Sequence, residues 1–463
     1  MTEQLKLKLN DSKATRWGAL VIVAFTMMAA YYVNDVVAPL KTMLETDLAW
    51  SSTDFGFFTG GYSFLNVFFL MLIWGGLILD RFGIRFTGKL ATILMVGGTA
   101  LEYYAMTGLA GADATLFGIN EIFGYKTGVF VAFAGYSIFG VGAEVAGITV
   151  SKIIAKWFKG KELATAMGVQ VALARIGSQA GYAVAIPLAR AFGISTPVLL
   201  GLVLLLGGMI AFFVFAVMDK KLDKQMEAAA IAAGTEDEEE KFSFKDVKNI
   251  LVNPGFWLIA LLCVLFYSCV FPFQKFASEL MIIKYGINEN VAGTFAGLPA
   301  LGALILTPVF GGFIDKRGKS ASIMLLGSAM LICMHFIYAI PDINYWLVAI
   351  VLMIILGIAF SLVPSAMWPA VAKIFPVSQL GTAYALIFFI QNIGLWGIPT
   401  LIGWVLDAYC ISGKKPDGTN MYDYTVPMCI FTGIACLSLI VALLLKKADK
   451  KYGYKLEEPN IQK

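Results

Sequence analysis

Twelve stretches of this 463-residue chain are long and apolar, and their repetition constrains the fold more than any single motif does. A bilayer core about 30 Å thick needs roughly 20 mostly apolar residues per helix. The runs lie near 17–40, 53–79, 87–109, 128–156, 162–190 and 196–218, then near 255–282, 290–314, 320–340, 345–372, 379–406 and 424–446. The short alternating segments of a membrane barrel are missing. Only 14% of the residues are charged, against about a quarter in soluble domains. The chain therefore reads as an all-α membrane protein with twelve transmembrane helices.

Charge placement supplies an orientation. With both termini on the inner side, 27 Lys and Arg fall in or beside inner segments and six on the outer side. Such a bias puts both termini in the cytoplasm of a multi-pass protein. The first residues lack the short apolar core and cleavage site of a signal peptide, so the first run is expected to stay as a helix. A net charge of +4 implies no polyanionic partner and no nucleic acid. The six cysteines include no CxxC pair, and neither a cofactor nor a metal is expected.

The chain also repeats itself. Gly76, Asp80, Arg81, Gly83 and Arg85 punctuate one short turn, and Gly311, Asp315, Lys316, Gly318 and Lys319 punctuate another. The two aspartates are separated by about half the chain, which predicts two six-helix bundles of the same orientation, 1–218 and 251–463, joined by a polar linker over 219–250. The linker carries the acidic run from Glu236 to Glu240. In each turn the small residues allow close helix contact and the carboxylate can meet a helix N-terminus or a basic neighbour. Asp80, Arg81, Arg85, Asp315 and Lys316 are expected to form a conformational latch. The second turn fails as a phosphate loop because Phe313 stands where that loop needs glycine.

Ionisable residues inside the helices carry the functional signal, since burying them is costly without a role or a partner. Glu144 is central to the fourth run and Arg175 to the fifth. Either they form a structural ion pair, or they separate to receive a solute bearing an ammonium and a carboxylate. A position near mid-bilayer in a duplicated bundle favours the second reading. The glycines beside Glu144 leave space for a ligand or another helix, and Gln179 is one turn from Arg175. Tyr31 and Asp35 on the first helix, Asn66, Lys275, Trp368, Tyr384, Gln391 and Asn392 complete the candidate substrate site, with Asn66, Gln391 and Asn392 reading equally as interhelical hydrogen-bond partners. Lys275 either adds a second positive charge to the cavity, where with Arg175 it would suit an organic anion, or snorkels outward. Asp35, Glu102 and Glu144 are the candidates for carrying a proton. Glu279 reads as a solvated helix end, and His335 and Trp157 as interfacial.

The motifs resemble a branch of the major facilitator superfamily that includes lysosomal dipeptide transporters. The likeness spans both halves, through residues 35–40, 62–67, 80–85, 140–144, 174–178, 271–273, 315–319, 368–372 and 391–394. Its most specific blocks are Trp-Phe-Lys-Gly-Lys-Glu-Leu at 157–163 and Gln-Leu-Gly-Thr-Ala-Tyr at 379–384. The resemblance implies transport of a dipeptide by alternating access, as a uniporter or with protons. Glu144 would meet the peptide's amino group and Arg175 its carboxylate. A monomer in a cell (plasma or inner) membrane is expected, without an accessory subunit.

Overall fold

The computed structural model describes residues 8–111, 114–158, 161–233 and 244–459. Helix dominates throughout. Nine of the described helices are individually long and apolar enough to cross a bilayer, and the bent pair Ser52–Phe68 and Met71–Thr107 qualifies when taken together. That pair accounts for two spans, because Gly83 breaks it with a left-handed φ of 76°. Leu163–Phe192 is long but less apolar, since it carries Gln170, Arg175, Ser178 and Gln179.

The spanning helices are α1 (Lys13–Val36), α2 (52–82, bent by 58° between Phe68 and Met71), α3 (84–107), α4 (Thr127–Trp157), α5 (Leu163–Phe192) and α6 (Thr196–Ala233). The second half supplies α7 (Pro254–Tyr285), α8 (Leu298–Arg317), α9 (Ser320–Ala339), α10 (Trp346–Ile374), α11 (Val377–Tyr409) and α12 (Thr425–Tyr452). A short helix, Lys41–Asp47, extends α1 beyond Pro39, and another, Glu289–Ala296, leads into α8. Two antiparallel hairpins, β1 (Glu121–Ile122) with β2 (Tyr125–Lys126) and β3 (Ile411–Lys414) with β4 (Asn420–Tyr422), sit at the end of the bundle away from the termini.

Both copies of the repeated turn place glycine where a side chain would be strained, Gly83 at φ 76° and Gly318 at φ 69°. The duplication read from Asp80 and Asp315 is thus a duplication of backbone shape. Helix α6 runs four turns past its apolar segment because the following residues are rich in helix formers such as Lys, Met and Ala. Its extension carries Asp219 and Asp223, which bind Lys156 and Arg85. Trp157, expected at an interface, is instead buried and donates to Asp219 at 2.9 Å. The acidic run from Glu236 to Glu240, and Lys159 and Gly160 of the Trp-Phe-Lys-Gly block, lie outside the described residues.

Candidate functional site

Both halves contribute to a central cavity of about 620 Å³, within the range of small-molecule sites. Glu144 enters it from α4. The Tyr62 hydroxyl, on α2, donates to its carboxylate at 3.0 Å. Arg175 enters from α5, and its guanidinium lies 4.8 Å from the Phe360 ring of the opposite half and 5.6 Å from the Tyr31 ring. Each charge is held by aromatic groups, and no ion pair joins the two. Glu144 is thus left with acceptor capacity and Arg175 with its forked donors, facing one cavity. Cation–π contact with two rings orients the guanidinium without consuming its N–H groups.

Tyr31, Lys275, Trp368, Gln391 and Asn392 also line the cavity. Trp368 stacks on Phe388 with ring centres 4.8 Å apart, part of an apolar wall that continues through Tyr267 and Phe271. The amides of α11 are partly committed: Gln391 accepts from Cys263 at 3.3 Å, and Asn392 donates to the Phe388 carbonyl at 2.9 Å.

Four candidates stand back from the cavity lining. Asp35 is buried, accepting from Ser178 at 2.6 Å and Asn34 at 2.8 Å, and it pairs with Lys275 at 3.2 Å. Gln179 does not share the solute face with Arg175; it donates to the Thr294 carbonyl at 3.3 Å, joining α5 to the helix ahead of α8. Asn66 is 1% exposed with neither amide atom bonded. Tyr384 supports Trp368 from behind, donating to its carbonyl at 3.0 Å. Gly140 and Gly142 leave room for helices α2 and α3, not for a ligand.

Lys275 neither snorkels nor stands free. Its ammonium reaches across from α7 to the Asn34 carbonyl at 2.5 Å, Asp35 at 3.2 Å and the Tyr136 hydroxyl at 3.4 Å. It ties the two halves together on the hairpin side of the cavity.

A second tie was missed in the sequence. Lys41 sits between Glu45, at 2.5 Å, and Glu279 of the opposite half, at 2.6 Å. Lys415, in the turn after β3, lies 3.7 Å from both carboxylates, and Tyr424 donates to Glu279. Glu279 is 1% exposed, so its reading as a solvated helix end is wrong. The available signal was a repeated Lys-x-x-x-Glu: Lys41 with Glu45 ends the first helix, and Lys275 with Glu279 the seventh. His335 is likewise buried, boxed between Phe273 and Phe431 and bonded to the Cys269 carbonyl at 3.1 Å.

At the same end, Asp407 of α11 caps the start of α2 through the Ser52 and Thr53 amides, at 3.3 and 2.5 Å. There α2 and α11 approach so closely that a Cβ on Gly56 would stand 2.4 Å from the Pro399 carbonyl. Arg190 pairs with Glu289 across the halves. At the terminal end the latch residues lie apart. Asp80, 67% exposed, pairs with Lys152 of its own half at 3.1 Å, Arg85 with Asp223 at 3.2 Å, and Arg81 lies over Phe82. Asp315 is half-buried and Lys316 exposed. Ser151, exposed on the terminal part of α4, lines the cavity. The cavity is closed at the hairpin end and accessible from the terminal end.

The profile of the Major Facilitator Superfamily matches residues 20–398 and again 276–458. The chain is similar to the lysosomal dipeptide transporter MFSD1 of Homo sapiens, at 29% identity over 95% of this chain and 88% of that protein. It is similar to the Danio rerio protein of the same name at 27% identity, covering 93% of this chain and 86% of the relative. Among solved structures, the nucleoside transporter NupG superposes with a TM-score of 0.68 at 12% identity, covering 92% of this chain and 98% of that one. A D-xylose-proton symporter superposes with a TM-score of 0.64 at 15% identity, covering 93% and 97%.

Proposed function

Because the chain belongs to the Major Facilitator Superfamily, we propose that it moves a dipeptide or similar small zwitterion across a cell membrane by alternating access. That it is a secondary transporter and not an enzyme follows from the family and from its transporter-named relatives. The dipeptide is our reading. The observation that carries it is the separation of Glu144 from Arg175 across one cavity, each held in place and neither neutralising the other.

Glu144 takes the peptide's ammonium, and Arg175 takes its carboxylate through a two-pronged bond. The aromatic wall around Trp368 receives a side chain. Lys275 is already engaged by Asp35 and Asn34, which favours Arg175 as the carboxylate partner over a two-cation site for organic anions. With both termini in the cytoplasm, the form described here faces inward. Asp80 and Asp315 would engage across the halves when the inner end closes. The relatives named lysosomal dipeptide transporters support the substrate class, and a monomer suffices for a cavity built from one chain.

Flux of labelled alanyl-alanine in proteoliposomes tests the site. Glu144→Gln and Arg175→Ala should each abolish it while the purified proteins stay folded. Normal flux in both variants would overturn the assignment, and competition by dicarboxylates but not by dipeptides would select an anion carrier.

A further inference from the structure

The two charged ends of the cavity are walled differently. A panel of rings from the second half starts at Arg175, whose guanidinium lies 4.8 Å from the Phe360 ring of α10. Phe271 of α7 meets Phe360 edge-on, with centres 5.3 Å apart and planes at 80°. It also stacks parallel to Tyr267 at 5.5 Å. Tyr267 leads on to Trp368 at 6.5 Å, and Trp368 stacks on Phe388 of α11 at 4.8 Å. Phe271, Trp368 and Phe388 are half-buried, and with Tyr267 they line the cavity. Tyr384 pins the backbone of Trp368 from behind, at 3.0 Å. The panel therefore stands preformed beside the guanidinium.

Around Glu144 the wall is aliphatic. Its neighbours on α4 that line the cavity are Ala143, Gly147 and Ile148. A Cβ added at Gly147 would meet only the Met27 methyl, at 3.9 Å. The ring at this end, Tyr62, is already committed. Its hydroxyl serves Glu144, and its face packs against Tyr136 and Phe139, with centres 5.8 and 6.2 Å away. In a dipeptide the carboxyl-terminal side chain branches from the carbon that bears the carboxylate. The amino-terminal side chain branches from the carbon that bears the ammonium. Holding the two charges at Arg175 and Glu144 therefore sends the first side chain to the ring panel and the second to the aliphatic wall.

We propose that the site selects dipeptides whose carboxyl-terminal residue is aromatic, with Trp368 and Phe388 as the residues that set this preference. The proposal rests on the dipeptide reading above and adds a direction to it. A planar side chain at that position finds rings in both parallel and edge-on arrangements, the two geometries that aromatic pairs favour. The same side chain at the amino-terminal position gains apolar burial without a ring to stack on. Two peptides of identical composition, alanyl-phenylalanine and phenylalanyl-alanine, therefore differ only in which wall receives the benzyl group.

Thermal stabilisation of the purified protein by these two isomers, titrated beside alanyl-alanine, tests the proposal. Alanyl-phenylalanine should reach half-maximal stabilisation at a concentration about 2- to 12-fold lower than phenylalanyl-alanine, the equivalent of one aromatic pair. In Trp368→Leu and in Phe388→Leu that ratio should fall toward unity. The ratio is internal to each variant, so a loss of overall affinity or of folded protein does not enter it. Equal affinity for the two isomers in the wild type, or preference for phenylalanyl-alanine, overturns the selectivity and leaves the dipeptide reading standing. A wild-type preference that is unmoved in both variants overturns the assignment to the ring panel. Stabilisation by none of the three peptides overturns the selectivity and the dipeptide reading together.

Discussion

The Lys41 ammonium lies 2.6 Å from the Glu279 carboxylate, and the two side chains, each 1% exposed, belong to opposite halves of the molecule. Removing one member of a buried ion pair costs about 3–5 kcal/mol when the partner is left unpaired; Lys41 keeps Glu45 at 2.5 Å, so Glu279→Gln costs less than that and removes only the link between the halves. That loss falls on the form closed at the hairpin end, where the pair exists. Glu279→Gln should therefore shift the population toward the outward-open form. A cysteine placed at Asn34 should label faster from outside in that variant than in the unmodified background, and equal labelling rates would show that the pair does not hold the gate.

Arg175 is positioned by two rings, 4.8 and 5.6 Å away, that would receive an ammonium as well as a guanidinium. Arg175→Lys therefore keeps the charge and loses the paired donors. A charge-assisted bond contributes about 1.5–3 kcal/mol, so peptide affinity should fall roughly 10- to 150-fold. Peptide binding measured by thermal stabilisation checks this, and undiminished affinity would mean the fork is not used.

Tyr62 reaches Glu144 at 3.0 Å and acts by positioning that carboxylate. Tyr62→Phe should raise the KM for peptide about 2- to 12-fold, the equivalent of one hydrogen bond of 0.5–1.5 kcal/mol. Maximal flux should change less. A fall in maximal flux with unchanged KM would place Tyr62 in the conformational step instead.

Acid should loosen the terminal end of the first half. The Glu162 carboxyl is held below its ordinary value of 4.5 by its own backbone N–H and by Arg16, and Asp11 is held below 3.8 chiefly by Lys161. Lowered carboxyl values mean that stability from these groups is complete above the ordinary values and is lost as pH falls through the folded ones. The Tm advantage of the wild type over Glu162→Gln should thus be constant near neutrality and shrink below about pH 4.5. An advantage that grows on acidification would reverse the sign of the argument.

The broad outline was legible because hydropathy is a local property. Each apolar run declares its own helix, and the duplicated turns around Asp80 and Asp315 declare the repeat. Glu144 and Arg175 stood out for the same reason, as isolated charges in otherwise apolar runs, and both line the cavity. Gln179, one turn from Arg175, was grouped with it by helical spacing. It instead serves a contact with Thr294, a residue far along the chain.

By itself the sequence determined a membrane class and a duplicated helical bundle, and it singled out Glu144 and Arg175 as isolated charges within apolar runs. Only the tertiary structure decided what the buried charges touch: Glu144 meets Tyr62, Arg175 meets Phe360, Lys275 meets Asp35, and Lys41 meets Glu279. The last three pairs cross between halves and join residues roughly 185 to 240 positions apart, and no local pattern encodes which distant charge a side chain will find. The same holds for Glu102, whose lack of partners is a property of the packing around it. Hydrophobic runs fix helices one at a time, and the register between the two bundles fixes the site.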